Sequence, residues 1–271
     1  MSLVQDFKYN GRYLSEFDSI LCSFNGGGGF DTVAGTTISL NTFLAISTQR
    51  YRRYSSVYNE VLSLTVQCCK SQCGVVTDRV YTQEEIRSLM RWLNSDTVKE
   101  LILLSDEYHD IYFMATANIQ KIRHGTDCVG FEITFTMDSN FGYNDYTTSL
   151  NFNEKDGNHT LPLDIDSDRE SFVYPKMNIV MLEDGDLEIY SSTEPDRILR
   201  LVGCKKDDQL WIDCENRVIQ SSNESHDLPG SFNHIFPRID YTYDNEDYGL
   251  TFNLNLHVDA TITQVRKIGV I

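Results

Sequence analysis

Six histidines, His109, His124, His159, His226, His234 and His257, and seven cysteines are the residues best suited to hold a metal ion. No two of them stand as His-x3-His or Cys-x2-Cys, the separations that aim a pair of ligands at one ion. Cys68, Cys69 and Cys73 come nearest. Neighbouring residues of a strand project to opposite faces, so Cys68 and Cys69 do not converge, and the group reads as core thiol. Abundant carboxylates raise glycoside hydrolysis, which needs two of them roughly 5 to 10 Å apart across the scissile bond. Sequence spacing on separate strands does not disclose such a pair. Neither a Gly-x-Ser-x-Gly elbow nor a Cys-His pairing in a helical setting marks a nucleophile. The consecutive glycines Gly26 to Gly29 run into Phe30, Asp31 and Thr32. A P-loop would continue into Gly-Lys-Ser/Thr and a helix, so this is a flexible loop rather than a phosphate cradle. These patterns predict no enzyme, no metal and no cofactor.

Bulk properties narrow the partners. The formal net charge is −17 over 271 residues, which argues against a basic surface that displaces counterions from phosphates, and hence against nucleic-acid binding. Arg50, Arg52, Arg53, Lys70, Arg79, Arg87 and Arg91 sit in the first half, whereas Asp and Glu crowd Glu154 to Asp247. A solvated acidic surface is the plain reading. No apolar run approaches the roughly 20 residues that cross a bilayer, and MSLVQDFKYNG does not read as a signal peptide. The expectation is a protein made in the cytoplasm, with reduced thiols and with sequons at Asn158 and Asn223 that carry no glycan.

The elements that position these residues are legible in part. Thr82 and Glu85 form a capping box, and Ile86, Leu89, Met90 and Leu93 follow at helical spacing until Asn94 and Ser95 break it. The period then falls to two. Leu101 to Leu104 read as a strand buried on both faces, and Asp106 with Glu107 turn the chain into Tyr112 to Ile119. From Val129 to Met137 the alternation is clean, with Val129, Phe131, Ile133, Phe135 and Met137 on one side. Leu62, Leu64, Val66 and Cys68 mark another half-buried strand, and Asn10-Gly11 signals a hairpin.

Beyond the polar stretch TTSLNFNEKDG, strands recur with no helix between them, as in a β-sandwich. Asp184-Gly185 and Lys206-Asp207-Asp208 read as hairpin turns, and Leu250, Phe252, Leu254, Leu256 and Val258 as one alternating strand. The boundaries drawn are 1–145 and 146–271, with a last strand from Thr261 that could return to the first domain.

A helix ending in RWLN, a strand, the DE turn, a second strand and FEITFTMDSNFGY together resemble the N-terminal domain of the distal tail proteins of tailed bacteriophages. FKYNGRYLSEFDSILCSFNG is similar to the opening of that domain. LPLDIDS, MNIVMLEDGDLEIYSS, ILRLVGCKKDDQLWIDCENRVIQ and FNHIFPRI resemble the galectin-like, carbohydrate-module-like second domain. The resemblance implies a mainly β fold: an N-terminal β-sheet or barrel-like ring-forming domain with one short helix, then a galectin-like β-sandwich. It implies a non-enzymatic virion component at the tail tip, a hexameric ring that joins the tail tube protein to the tail-associated hub protein and docks receptor-binding proteins. The alternative it leaves open is a baseplate or receptor-binding protein whose second domain binds host-surface carbohydrate.

Two sets of contact residues follow from that resemblance. Arg50, Tyr51, Arg52, Arg53 and Tyr54 suit an interface by type, and a solvated loop equally well. A galectin-like sandwich can present an aromatic platform to sugar. Trp211 alternates with Leu210 and Ile212 and is expected in the core, whereas the acidic TYDNEDY loop is expected exposed. Tyr241, Tyr243 and Tyr248 are therefore the candidate glycan contacts.

Overall fold

A computed structural model describes residues 4–24, 38–45, 50–58, 61–70, 80–105, 110–151, 159–242 and 250–269. The four-glycine run, Cys73, the Asp106-Glu107 turn, Tyr243 and Tyr248 lie outside the described residues. The chain divides into two compact units, Met1–Tyr143 with Gly269–Ile271, and Asn144–Ile268.

In the first unit, β1 (Asp6–Tyr9) turns back into β2 (Arg12–Tyr13) through Asn10 and Gly11. Their φ values of 50° and 79° are both positive, the conformation that makes Asn-Gly the favoured two-residue hairpin. A 3-10 turn over Leu14–Phe17 leads to β3 (Ser19–Cys22), which pairs with β6 (Ser63–Lys70). Between them in sequence, β4 (Ile38–Ala45) and β5 (Arg50–Tyr58) form a separate antiparallel ribbon. Helix α1 (Gln83–Leu93) comes next, then β7 (Lys99–Leu104), β8 (Tyr112–His124) and β9 (Asp127–Met137). The sheet order is β2, β1, β7, β8, β9, β6, β3.

Helix α1 starts where its cap dictates. The Thr82 hydroxyl accepts from the Glu85 N–H at 3.3 Å, and the Glu85 carboxylate accepts from the Thr82 N–H at 2.7 Å. Ile86, Leu89, Trp92 and Leu93 are buried, whereas Met90, expected in that stripe, is only partly covered. The Trp92 ring stacks on Phe17 at 4.4 Å and Phe7 at 5.7 Å between centroids, and its N–H donates to the Tyr9 carbonyl at 2.7 Å. A buried indole needs such a partner, and this one ties α1 to β1.

The sheet corrects one expectation. Leu101 and Leu103 are buried but Ile102 and Leu104 are only half-buried, so β7 has a single core-facing side. On β9, Phe131, Ile133, Phe135 and Met137 are buried as the alternation requires, whereas Val129, expected in the same row, is only half-buried because it falls at the register shift opposite Ile122 and Arg123 of β8. On its other side the Glu132 carboxylate accepts from the Gln67 amide at 2.9 Å, and the Thr134 and Thr65 hydroxyls meet at 3.0 Å.

The chain passes into the second unit within β10 (Phe141–Asn151). There follow β11 (His159–Leu163), β12 (Ser171–Val173), β13 (Lys176–Met181), β14 (Gly185–Ser191), β15 (Glu194–Cys204), β16 (Gln209–Asp213) and β17 (Val218–Ser221). A single helical turn, α2 (Leu228–Ser231), precedes β18 (Ile239–Tyr241), β19 (Leu250–Leu254) and β20 (Val258–Gly269). One sheet runs β17, β16, β13, β20, β10 and the other β11, β19, β14, β15, while β12 and β18 pair separately. Met177, Ile179, Leu210, Ile212 and Ile262 of the first sheet share a core with Leu161, Leu187, Ile189, Leu199, Leu201 and Phe252 of the second. This is the galectin-like β-sandwich that the resemblance implies, and the fold as a whole is mainly β.

Three turn and strand expectations in this unit are corrected. Strands β13 and β14 do not form a hairpin at Asp184-Gly185, because β13 pairs with β16 and β20 and β14 pairs with β15 and β19. Lys206-Asp207-Asp208 likewise links strands of different sheets. Both segments are crossings held side by side. The Asp184 carboxylate accepts from the Lys206 N–H at 2.8 Å and from the Lys205 ammonium at 3.2 Å, and the Asp208 carboxylate accepts from the Lys205 N–H at 2.9 Å. The run from Leu250 to Val258 is two strands in opposite sheets, β19 and β20. Asn255 releases the chain: its side-chain oxygen accepts from the Glu188 N–H at 2.6 Å, and its amide donates to the Asp186 carbonyl at 2.9 Å. These bonds substitute for ladder bonds on β14 and satisfy its backbone while the main chain leaves the sheet.

Candidate functional site

Arg50 to Tyr54 open strand β5, with Arg50, Tyr51, Arg52 and Arg53 opposite Ala45, Leu44, Phe43 and Thr42 of β4. Tyr54 falls at the register shift between Asn41 and Thr42, where β5 carries one residue more than its partner. These residues therefore belong to a strand, not to the loop that the sequence left open.

The glycan set is corrected at Tyr241, which is only 1% exposed. It is the last residue of β18, two positions from buried Ile239, and period two turns both inward while Asp240 faces out. Buried in the sandwich core, its ring offers no face to a ligand. Tyr243 and Tyr248 lie outside the described residues.

The aromatic group that the sandwich does present is Trp211, 40% exposed. Expected in the core, it points outward because Leu210 and Ile212 on either side are buried. The alternation that suggested burial contained the opposite answer. Cross-strand register builds two outward rows around it. In the first, Gln220 of β17, Trp211 of β16, Asn178 of β13 and Thr261 of β20 stand opposite one another in turn. The second row, one step along, holds Val218, Asp213, Lys176 and Thr263. The rows extend onto β10, where the Ser149 hydroxyl lies 3.4 Å from that of Thr261 and the Thr147 hydroxyl 3.0 Å from that of Thr263. The two rows on β17, β16, β13 and β20 line an open trough of about 540 Å³.

Electrostatics in the trough are local and balanced. Partial burial pushes the Asp213 carboxyl up. The Asn216 backbone and side-chain N–H groups, each donating at 2.9 Å, and the Lys176 charge hold it below the usual carboxylate range. Asp213 is thus an oriented acceptor beside a cation.

The thiols behave differently. Burial pushes Cys68 up to about 12 and Cys204 up to about 11, and it raises Cys214 as well. Cys68 is buried and its neighbour Cys69 only half-buried, as opposite faces of β6 require. Among the described residues no three His, Cys, Asp or Glu side chains gather where they could hold a metal ion.

Comparison with known proteins turns on the whole chain. Residues 3–139 match a family model described as "Phage tail protein N-terminal domain", and residues 141–262 match one described as "Phage tail C-terminal domain". The crystal structure of SPP1 Dit (gp 19.1), described as a paradigm of hub adsorption apparatus in Gram-positive infecting phages, superposes with a TM-score of 0.67 at 12% identity. That match covers 98% of this chain and 100% of that one. A Bacillus thuringiensis Cry1Da tryptic core variant aligns over 99% of this chain and 52% of that one at 8% identity, and its TM-score of 0.25 carries no weight. No curated protein matches. The chain belongs to this phage tail protein family.

Proposed function

We propose that this phage tail protein is a distal tail component, a closed ring of six copies that joins the tail tube to the hub and docks receptor-binding proteins. The observation that carries the reading is the likeness of fold to SPP1 Dit along 98% of the chain. That protein is described as a paradigm of hub adsorption apparatus, and the two family models support a tail role over both units of this chain. The first unit forms the ring. The role is structural, without catalysis or cofactor. Subunits are made in the host cytoplasm and assembled there onto the tail.

Charge is consistent with a conduit for DNA. Residues 1–143, which form the ring, carry 12 Lys and Arg against 16 Asp and Glu, a mildly acidic balance, whereas a basic wall would slow the release of passing phosphate. The β4–β5 ribbon has no sheet partner beyond its own two strands among the described residues. Its free edges suit pairing between neighbouring subunits. Light scattering on the purified chain tests the reading. A ring has six times the 31.1 kDa subunit mass and a central hole by negative-stain imaging, and a stable open chain or a two-fold dimer contradicts it.

A further inference from the structure

We propose that the outward face of β17, β16, β13 and β20 is a binding site for a neutral saccharide, with the Trp211 indole as its stacking platform. A large aromatic side chain left 40% exposed at the middle of a sheet face keeps apolar surface in water, and a sugar ring is a ligand whose C–H face can cover it. Such a ligand also carries hydroxyls around its rim. The register places the Gln220 amide on one side of the indole and the Asn178 amide on the other. Each supplies donors and an acceptor, which matches adjacent hydroxyls that both donate and accept. Asp213, already oriented by Asn216, adds acceptors with lone pairs to spare. Lys176 adds donors, and Thr261 contributes a hydroxyl at the far rim.

Other ligand classes fit less well. Lys176 and Asp213 cancel in charge, so the trough does not attract a phosphate backbone, and the carboxylate would repel one. A protein partner would want several large apolar anchors, whereas the exposed apolar side chains here are the indole and the small Val218, set among amides, hydroxyls and a charge pair. At about 4.8 Å per strand spacing, the four strands present roughly 15 Å of face, room for more than one sugar ring. Among the described residues Asp213 is the only carboxylate lining the trough, while glycoside hydrolysis takes two, so the face binds without cleaving.

The test uses the full chain. A glycan array carrying neutral and acidic saccharides is screened first, and each neutral hit is then titrated while the two indole N–H signals are followed by NMR. Trp92, which donates to Tyr9 in the first unit, is the internal control. The expected result is saturable binding of at least one neutral glycan that shifts the Trp211 signal and leaves that of Trp92 in place. Trp211→Ala then weakens binding at least about tenfold, a loss of about 1.4 kcal/mol. Gln220→Ala and Asn178→Ala weaken it several-fold, and Trp211→Phe retains part of it. Unmoved methyl signals of Leu187 and Leu199, in the core of the same unit, certify the fold in each variant. Binding of acidic glycans alone, no neutral hit on the array, or undiminished binding by Trp211→Ala overturns the proposal. Ring assembly is measured separately, so a six-membered ring with a silent Trp211 would overturn this inference and leave the structural role intact.

Discussion

The two tryptophans divide the molecule's chemistry between them, and neither assignment follows from residue type alone. Trp92 is 6% exposed, sandwiched between Phe17 and Phe7 and bonded through its N–H, so truncation leaves a cavity and removes the bond that ties α1 to β1. Trp92→Ala should lower the unfolding free energy by about 3–5 kcal/mol in urea titrations, while Trp211→Ala should change it by no more than about 0.5 kcal/mol. Equal effects would mean that the exposure contrast is wrong. A second residue-scale expectation concerns Glu194, whose carboxylate accepts from Arg238 at 2.7 and 2.9 Å. That fork holds Glu194 below the usual carboxylate range. The stability it contributes is complete above the unfolded-chain value of about 4.3 and is lost as pH falls through the lower folded value. Glu194→Gln should therefore cost roughly 1 kcal/mol at neutral pH and flatten the acid limb of stability below about pH 4.3, measured by denaturation across pH. At this scale Cys68 was legible, since alternation on β6 sends it inward. Tyr241 and Trp211 were misassigned, one credited to a neighbouring acidic loop and the other to the habits of tryptophan. Counting two residues from Ile239, or one from Leu210, gives the observed side in each case.

At the scale of elements, local chemistry decides starts and turns but not partners. Thr82 and Glu85 specify the first turn of α1, and Thr82→Ala should cost about 1 kcal/mol in the same urea assay. Gly130 on β9 has a different constraint. A Cβ there would lie 2.4 Å from the Phe24 ring and 2.7 Å from the Cys68 carbonyl, so Gly130→Val should destabilise by about 1–3 kcal/mol or displace the ring. Wild-type stability in that variant would show that Phe24 does not rest on the strand. The Asn10-Gly11 hairpin was readable because its two positive φ values are a property of those residues. The connections at Asp184-Gly185 and Lys206-Asp207-Asp208 were not, because a polar turn between two half-buried strands has the same sequence whether the chain returns to its own sheet or crosses to the other. Alternation reports which side of a strand meets the core. In a sandwich both sheets share that core, so Phe252 of β19 and Ile262 of β20 obey one pattern from opposite walls.

On the scale of the whole molecule, a chain with two cores and a strongly acidic balance is read as a repeated building block of a tail. The mainly β architecture and the sandwich were accessible from the spacing of strands and turns. The distribution of strands between sheets, and the outward face around Trp211, required coordinates, since they depend on pairings as distant as Asn178 with Thr261. The ring reading makes an electrostatic demand: in the assembled particle the inner wall is neutral or acidic, and a basic wall in a reconstruction would count against it. It also makes a geometric one, that six copies close around the tube axis. Cryo-electron microscopy of the tail from the phage that encodes this chain tests both at once. The account predicts a closed ring of six copies on the tube axis at the tail end distal to the head. Copies stacked along the tube, or placed off its axis, would contradict it.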